Sequence, residues 1–189
     1  MLKEQQENID DTELIRRCRT GEQKAYTELI RRYKGRVAST VFGMLGRCDE
    51  ADDVGQEVFI RFFNSIDNFR GESSPGTYLT RIAINLSINE LRRRKLRRFL
   101  SIEKMREDGI EITDTALKGC LEEDRELVEK GLQQLSAKYR SVLVLRLIEG
   151  YSTEETAKIL NLPAGTILSR LARAQMKLRE YLKPYIKQT

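Results

Sequence analysis

The side chains that could carry chemistry in this chain are basic and amide groups on predicted helices, whereas the usual residues of enzymes are missing. The sequence contains no histidine, and it has no Walker-type phosphate loop, no glycine-rich dinucleotide loop and no serine elbow. One acidic cluster, Asp49, Glu50, Asp52 and Asp53, has the oxygen ligands that Mg²⁺ prefers. It lies at a predicted helix start without the loop geometry that hard cations need. We therefore expect no enzymatic activity, no metal site and no cofactor.

The strongest local motif is a short helix, a tight turn and a second helix between Ser152 and Gln175. Ser152 and Glu155 have the spacing of a capping box, and Asn161-Leu162-Pro163 predicts the break between the helices. This is the spacing of a helix-turn-helix. A plain helical hairpin with a solvated basic face remains the alternative. Taking Ile167 as the centre of the buried face and turning about 100° per residue, the opposite face carries Gly165, Ser169, Ala172 and Met176.

A second basic helix is predicted from Gly76 to Arg98. It carries the amides Asn85 and Asn89, and six of the seven residues from Arg92 to Arg98 are basic. Amide side chains can bond base edges, and clustered cations attract phosphate. A solvated helix end is the alternative, but two separate basic helices favour an extended nucleic-acid footprint. The net charge of +5 is compatible with such a partner.

Helical periodicity extends through the rest of the chain. Apolar residues recur three and four positions apart from Glu22 to Leu45 and again between Glu50 and Ile66, and we find no strand-like alternation. The fold class predicted is all-α, with two small helical domains joined by an acidic linker. The boundaries predicted are residues 1–99 for the first domain, 100–121 for the linker and 122–189 for the second domain.

The cellular setting is indicated by the cysteines and by hydropathy. The three cysteines, Cys18, Cys48 and Cys120, are widely spaced and form no CxxC pair, so we expect reduced thiols. No apolar run approaches the length needed to cross a bilayer, and the N-terminus is too polar for a signal peptide. A cytoplasmic protein without membrane insertion is expected.

Together these segments resemble the extracytoplasmic function (ECF) subfamily of bacterial RNA polymerase sigma factors, from about residue 20 to residue 182. Residues 49–61 resemble the acidic helix of region two. Residues 69–73 and 77–85 resemble the loop and helix that open and read the promoter element near minus ten. Residues 135–140 and 163–174 resemble region four, which reads the element near minus thirty-five. The resemblance implies a transcription initiation factor that binds core RNA polymerase and promoter DNA.

The resemblance also assigns three sets of candidate residues. The set expected to dock on the beta and beta-prime subunits of polymerase, with Phe59 or Phe63 exposed, is Asp49, Asp52, Asp53, Gln56, Glu57, Phe59, Ile60 and Phe63. The set for the downstream element is Ser74, Pro75, Gly76, Asn85, Asn89, Arg92 and Arg93. The set for the upstream element is Thr166, Leu168, Ser169, Arg170, Ala172, Arg173 and Lys177.

Three positions depart from the pattern of the family. Ser74-Pro75-Gly76 stands where relatives often carry an aromatic residue, Leu168 stands where a lysine or arginine is common, and Ala172 replaces a larger side chain. These changes remove DNA contacts, so we hypothesise that intrinsic promoter reading is weak and that a DNA-bound recruiting factor helps. An anti-sigma factor is a further candidate partner, since many relatives are controlled in that way.

Two other function classes remain as alternatives. A helix-turn-helix repressor or activator would use its N-terminal domain for dimerisation and would bind a duplex operator without polymerase. A metal-dependent enzyme would lose turnover when Asp52 or Asp53 is changed. Association with core polymerase separates the sigma-factor interpretation from both.

Overall fold

The computed structural model describes residues 9–108 and 123–186, and most of these residues are helical. No β-strand occurs within those two ranges, which confirms the all-α prediction. A 3₁₀ turn covers Ile66–Asn68 and a π-helical turn covers Val144–Ile148. The α-helices are α1 (Asp11–Arg19), α2 (Gln23–Leu45), α3 (Asp49–Asn64), α4 (Pro75–Asp108), α5 (Glu123–Gln134), α6 (Ala137–Leu143), α7 (Thr153–Leu160) and α8 (Ala164–Ile186).

Helices α1 to α4 form the first half of the structure. Leu29, Val37 and Val41 of α2 are buried against α3 and α4, as their spacing predicts. Phe62 lies at the centre, fully buried, with the rings of Phe63 and Tyr78 at 5.7 and 5.8 Å between centroids. Helix α1 was not predicted from the sequence, although it buries Leu14, Ile15 and Cys18.

Helix α4 is longer than the sequence predicts. It continues to Asp108, so the predicted domain boundary at residue 99 falls inside a helix. Residues 101–108 contain neither glycine nor proline, and the first glycine after the basic cluster is Gly109. Nothing in the local sequence therefore interrupts the helix at residue 99. The rest of the predicted linker, residues 109–121, lies outside the described residues.

Helices α5 to α8 form the second half. Leu132, Leu135, Leu143 and Ala174 form a small core between α5, α6 and α8. The capping box that begins α7 is confirmed, because the Glu155 backbone amide donates to Ser152 Oγ at 3.1 Å and the Ser152 amide donates to Glu155 Oε2 at 2.8 Å. Asn161, at φ 51°, then turns the chain toward α8.

The two halves pack directly against each other. Val144, Leu145, Tyr151 and Ile159 of the second half belong to the main hydrophobic core of the first half. Helix α2 comes so close to the π-helical turn that a Cβ at Gly43 would lie 3.0 Å from Val144 Cγ2. The two predicted domains thus share one continuous core in this structure.

Arg140 fastens the two halves at this contact, and only 5% of its surface is exposed. Its Nη1 donates to Met44 O of α2 and, at 2.6 Å, to Gln133 Oε1, while Nη2 donates to Gln133 O at 2.7 Å and to Leu135 O at 2.8 Å. Burial, with a smaller contribution from nearby Arg94, lowers the pKa of the Arg140 guanidinium to about 10. Even so, the group stays charged at neutral pH and satisfies carbonyls at the ends of two helices.

Further observations bear on the predicted setting. Cys18 and Cys48 are free thiols, and Cys120 lies outside the described residues. Within the described part of the chain, no helix has the length and apolar character that crossing a lipid bilayer requires. Among the same residues, no three potential metal ligands lie close enough together to hold an ion.

Candidate nucleic-acid and polymerase interfaces

The predicted recognition helix, α8, has the two faces that its sequence indicates. Ile167 and Ala174 are fully buried, and Leu171 and Leu178 pack against the small core. The opposite face is exposed throughout and consists of Gly165, Leu168, Ser169, Ala172, Arg173, Met176 and Lys177. Thr166 and Arg170 are half-buried at its edges. The structure therefore brings the upstream set of candidate residues together on one surface.

The polar groups of this face are partly engaged already. Ser169 Oγ donates to Thr166 O at 3.0 Å, one turn earlier in the helix. A hydrogen bond from Arg173 lowers the pKa of the Tyr139 hydroxyl, so this guanidinium lies against α6. Gly165 has open space around its Cα, so the backbone at the start of α8 is accessible.

The start of α4 is less exposed than the downstream set of candidate residues requires. Ser74 is exposed and caps the helix, since its Oγ accepts from the Thr77 amide at 3.1 Å. Pro75 and Gly76 are buried instead. A Cβ at Gly76 would lie 2.7 Å from Arg36 Nη1 and 2.9 Å from Tyr33 Cε1. A residue without a side chain is therefore needed here for α4 to pack closely on α2. Of the three, only Ser74 faces solvent.

A polar cavity of about 540 Å³ lies beside this loop. Its walls come from the loop 68–74, from Thr77, Tyr78 and Arg81 of α4, and from Glu155 and Lys158 of α7. Arg81 is half-buried, and its Nε, which is shielded from solvent, has no hydrogen-bond partner among the described residues. The sequence analysis did not single out Arg81, because an arginine within a helix carries no signal of its own unless the cavity is known.

Helix α1 holds the loop in place. Arg19 Nε donates to Ile66 O at 3.1 Å and its Nη2 donates to Phe69 O. Phe69 is 9% exposed, with its ring 5.4 Å from that of Tyr78. The loop is thus fixed at one end by a cation and by an aromatic contact, neither of which the sequence analysis identified.

Farther along α4, Asn85 and Asn89 are both exposed, as predicted. The basic cluster that follows is partly neutralised. Glu90, 5% exposed, accepts Arg93 at 2.7 Å, Arg97 at 3.0 Å and Arg94 at 3.3 Å. Arg94 also donates to Leu45 O and Cys48 Sγ, which ties α4 to the start of α3. Arg92 is exposed on the opposite side of this network.

Helix α3 presents an acidic outer face. Of the predicted docking set, Asp49, Asp52, Asp53, Gln56 and Ile60 are exposed, while Glu57 is half-buried and pairs with the exposed Arg61 at 2.7 Å. The expectation that Phe59 or Phe63 is exposed was wrong. Both pack against the core, and Phe63 lies 4.7 Å from the Tyr26 ring. The exposed large apolar side chain of this face is Ile60, at 53%.

Two family models match the chain. Residues 29–97 match the family described as Sigma-70 region 2, and residues 125–178 match the family described as Sigma-70, region 4. The chain is 33% identical to the ECF RNA polymerase sigma factor SigW of Bacillus subtilis over 177 residues, which cover 89% of this chain and 95% of SigW. It is also 33% identical to the ECF RNA polymerase sigma-E factor of Escherichia coli K12, over 96% of this chain and 98% of that protein.

Solved structures give the same assignment. The sigma factor RpoE of Bartonella quintana, in complex with the anti-sigma factor NepR, superimposes with a TM-score of 0.66 at 27% identity, over 85% of this chain and 98% of RpoE. CnrH in complex with the cytosolic domain of CnrY gives a TM-score of 0.65 at 25% identity, over 92% and 97% of the two chains. With both regions matched in order, the chain belongs to the ECF family of sigma factors and directs RNA polymerase to promoters in transcription initiation.

Proposed function

We propose that three separate faces divide the work of promoter-directed initiation, and that the chain acts by binding without catalysing a reaction. The outer face of α3 docks on the beta and beta-prime subunits of core polymerase. The loop 68–74 and helix α4 hold the opened strand of the downstream element, and α8 reads the upstream element. The observation that carries this proposal is the exposed face of α8, which is continuous and lies opposite a row that packs against the small core.

The docking role of α3 rests on its charge and its one outward apolar side chain. Four exposed acidic or amide residues precede Ile60 along the helix, which gives an apolar contact at one end of a polar row. Protein interfaces commonly combine apolar and polar contacts of this kind. The ring of Phe62 and its neighbours fix α3 from behind, so that the face is presented on a rigid support.

The downstream role rests on the cavity beside the loop 68–74. Arg81 and Tyr78 of α4 both line this cavity. A cation and an aromatic ring are suited to a phosphate and to an unstacked base. Because Pro75 and Gly76 are buried, we assign the strand contact to Arg81, Ser74 and Asn85 in their place.

We further propose that intrinsic promoter reading is weak and that a DNA-bound factor helps to recruit the chain. Neither Leu168 nor Ala172 can donate a hydrogen bond from its side chain, and the Ser169 hydroxyl already donates to Thr166 O within the helix. A promoter-selection assay with core polymerase would contradict this if one two-element sequence were used strongly without any added factor.

An anti-sigma factor is the inhibitory partner that we propose, and we place the chain in the cytoplasm with the polymerase. Support comes from the structural neighbours, which were solved with the anti-sigma factor NepR and with the cytosolic domain of CnrY. A groove of about 670 Å³ lined by Phe42, Val128, Leu132 and Ile148 lies between the two halves. Its apolar lining suits an amphipathic helix of such a partner.

Co-purification with core RNA polymerase tests the proposal. The wild-type chain should bind core polymerase in mild salt, and Ile60→Glu should weaken binding by about tenfold or more, since it replaces the exposed large apolar side chain of the docking face with a charged one. Ile30→Glu is the matched control, because Ile30 is an exposed apolar residue on α2 outside the docking set. A chain that binds duplex DNA but no polymerase would support a repressor instead.

A further inference from the structure

An apolar row runs along the exposed face of α8. Leu168 is 56% exposed and Met176 is 54% exposed, and Ala172 lies between them at the four-residue spacing that places side chains in line on a helix. A single exposed leucine is ordinary on a protein surface. Three apolar residues in line on the helix expected to enter a DNA groove form a surface that needs a matching partner.

The surroundings of this row favour DNA as that partner. Arg170, Arg173, Lys177 and Arg179 lie on the same helix, against the single acid Glu180. These cations are placed to hold phosphates on either side of a groove. Gly165, at the N-terminal end of the row, has no side chain to keep the backbone away from a base edge.

The chemistry of the row selects one group in the major groove. Donors and acceptors on base edges require polar side chains, whereas the 5-methyl group of thymine is contacted by apolar ones. Resting on the proposed role of α8, we propose that Leu168, with Ala172 beside it, reads thymine methyl groups in the upstream promoter element.

Replacement of thymine by deoxyuridine tests this inference, because it removes the methyl group and leaves every hydrogen-bonding atom in place. Holoenzyme is assembled from core polymerase and the full chain, and each thymine of the upstream element is replaced in turn. Wild-type affinity should fall about fourfold at one or two adjacent positions, the value of burying one methyl-sized group. Leu168→Ala should bind thymine and uracil promoters equally, and Leu168→Met should retain the preference.

The outcomes separate this inference from the proposed role of α8. Arg173→Ala should weaken binding equally on thymine and uracil promoters. The inference is overturned if wild-type holoenzyme binds all the uracil promoters as well as the thymine promoter, or if Leu168→Ala keeps the preference. A chain that fails to co-purify with core polymerase in mild salt would contradict the proposed function, and this inference with it.

Discussion

The Tyr151 hydroxyl donates a hydrogen bond to Thr80 Oγ1 at 3.1 Å, and both residues are buried where the second half meets α4. Removing one member of a buried hydrogen bond costs more stability than the bond itself contributes, because the remaining polar group stays buried without a partner. This pair therefore reports on how firmly the two halves are joined.

We expect Tyr151→Phe to lower the free energy of unfolding by about 1–2 kcal/mol, because Thr80 loses its partner. Thr80→Val should cost a similar amount, and the double variant should cost less than the sum. Urea unfolding of the four chains gives the coupling energy, which we expect at about 1 kcal/mol. Strict additivity of the two changes would contradict an energetically significant bond.

Ser152→Ala should destabilise the second half by about 1 kcal/mol, because α7 loses the side-chain cap of its first turn. Thermal unfolding followed by circular dichroism measures the effect. Ser169→Ala is the matched control, since the hydroxyl of Ser169 only bonds back to Thr166 O within α8. Equal losses in the two variants would argue that the capping box contributes nothing specific.

Stability should depend on Glu28 in a pH-dependent manner. Hydrogen bonds from Arg31, and then from Arg32, lower the pKa of the Glu28 carboxyl from 4.5 to about 2. Because the folded-state pKa is depressed, the stabilisation is complete above pH 4.5 and is lost as the pH falls toward 2. The unfolding free energies of wild type and Glu28→Gln should differ by roughly 0.5–1 kcal/mol at pH 7.

That difference should shrink between pH 4.5 and pH 3, as measured by urea unfolding at several pH values. The variant Arg31→Gln/Arg32→Gln should remove the same pH dependence, because it removes the donors instead of the acceptor. A difference that stays constant down to pH 3 would show that the carboxylate charge does not contribute.

Asn85→Ala should reduce strand opening at promoters by about tenfold, the effect of losing a side-chain contact to a base edge worth about 1–3 kcal/mol. Permanganate reactivity of unpaired thymines in the holoenzyme complex measures opening. Asn85 is exposed, so folding stability should change by less than about 0.5 kcal/mol. Asn64→Ala, at another exposed asparagine, should leave opening unchanged. If the two variants behave alike, Asn85 has no special role.

Local periodicity predicted α2, α3, α7 and α8 with bounds close to those observed, because each carries a long apolar row or a capping motif. Helix α1 was missed because a nine-residue helix with three buried positions gives little periodic pattern. The boundary at residue 99 was placed on the acidic composition, the weak periodicity and the glycines of the following stretch, yet acidic composition and weak periodicity do not end a helix where the sequence contains no glycine or proline.

The candidate surfaces on α8 and α3 could be predicted because the apolar face of a helix defines the opposite, exposed face. The exposure of Phe59 or Phe63 was predicted wrongly because an aromatic side chain at the edge of a helical face can point toward the core or toward solvent. Here the ring of Phe63 packs against the ring of Tyr26. The packing of the two halves could not be predicted from the sequence. The structure buries Val144 and Leu145 against the first half, and nothing in the sequence analysis identified α2 as the surface that covers them.

Glu90 changes how the end of α4 would respond to ionic strength. Each phosphate neutralised by a protein cation releases condensed counterions, and log K falls with log salt in proportion to the number of such contacts. Arg93, Arg94 and Arg97 already have a carboxylate within 3.3 Å, so each must leave Glu90 before it can displace an ion from DNA. This end of the helix would therefore release fewer counterions on binding DNA than its six basic residues suggest. Its affinity for a duplex should fall less steeply with salt concentration than the affinity of six independent cations.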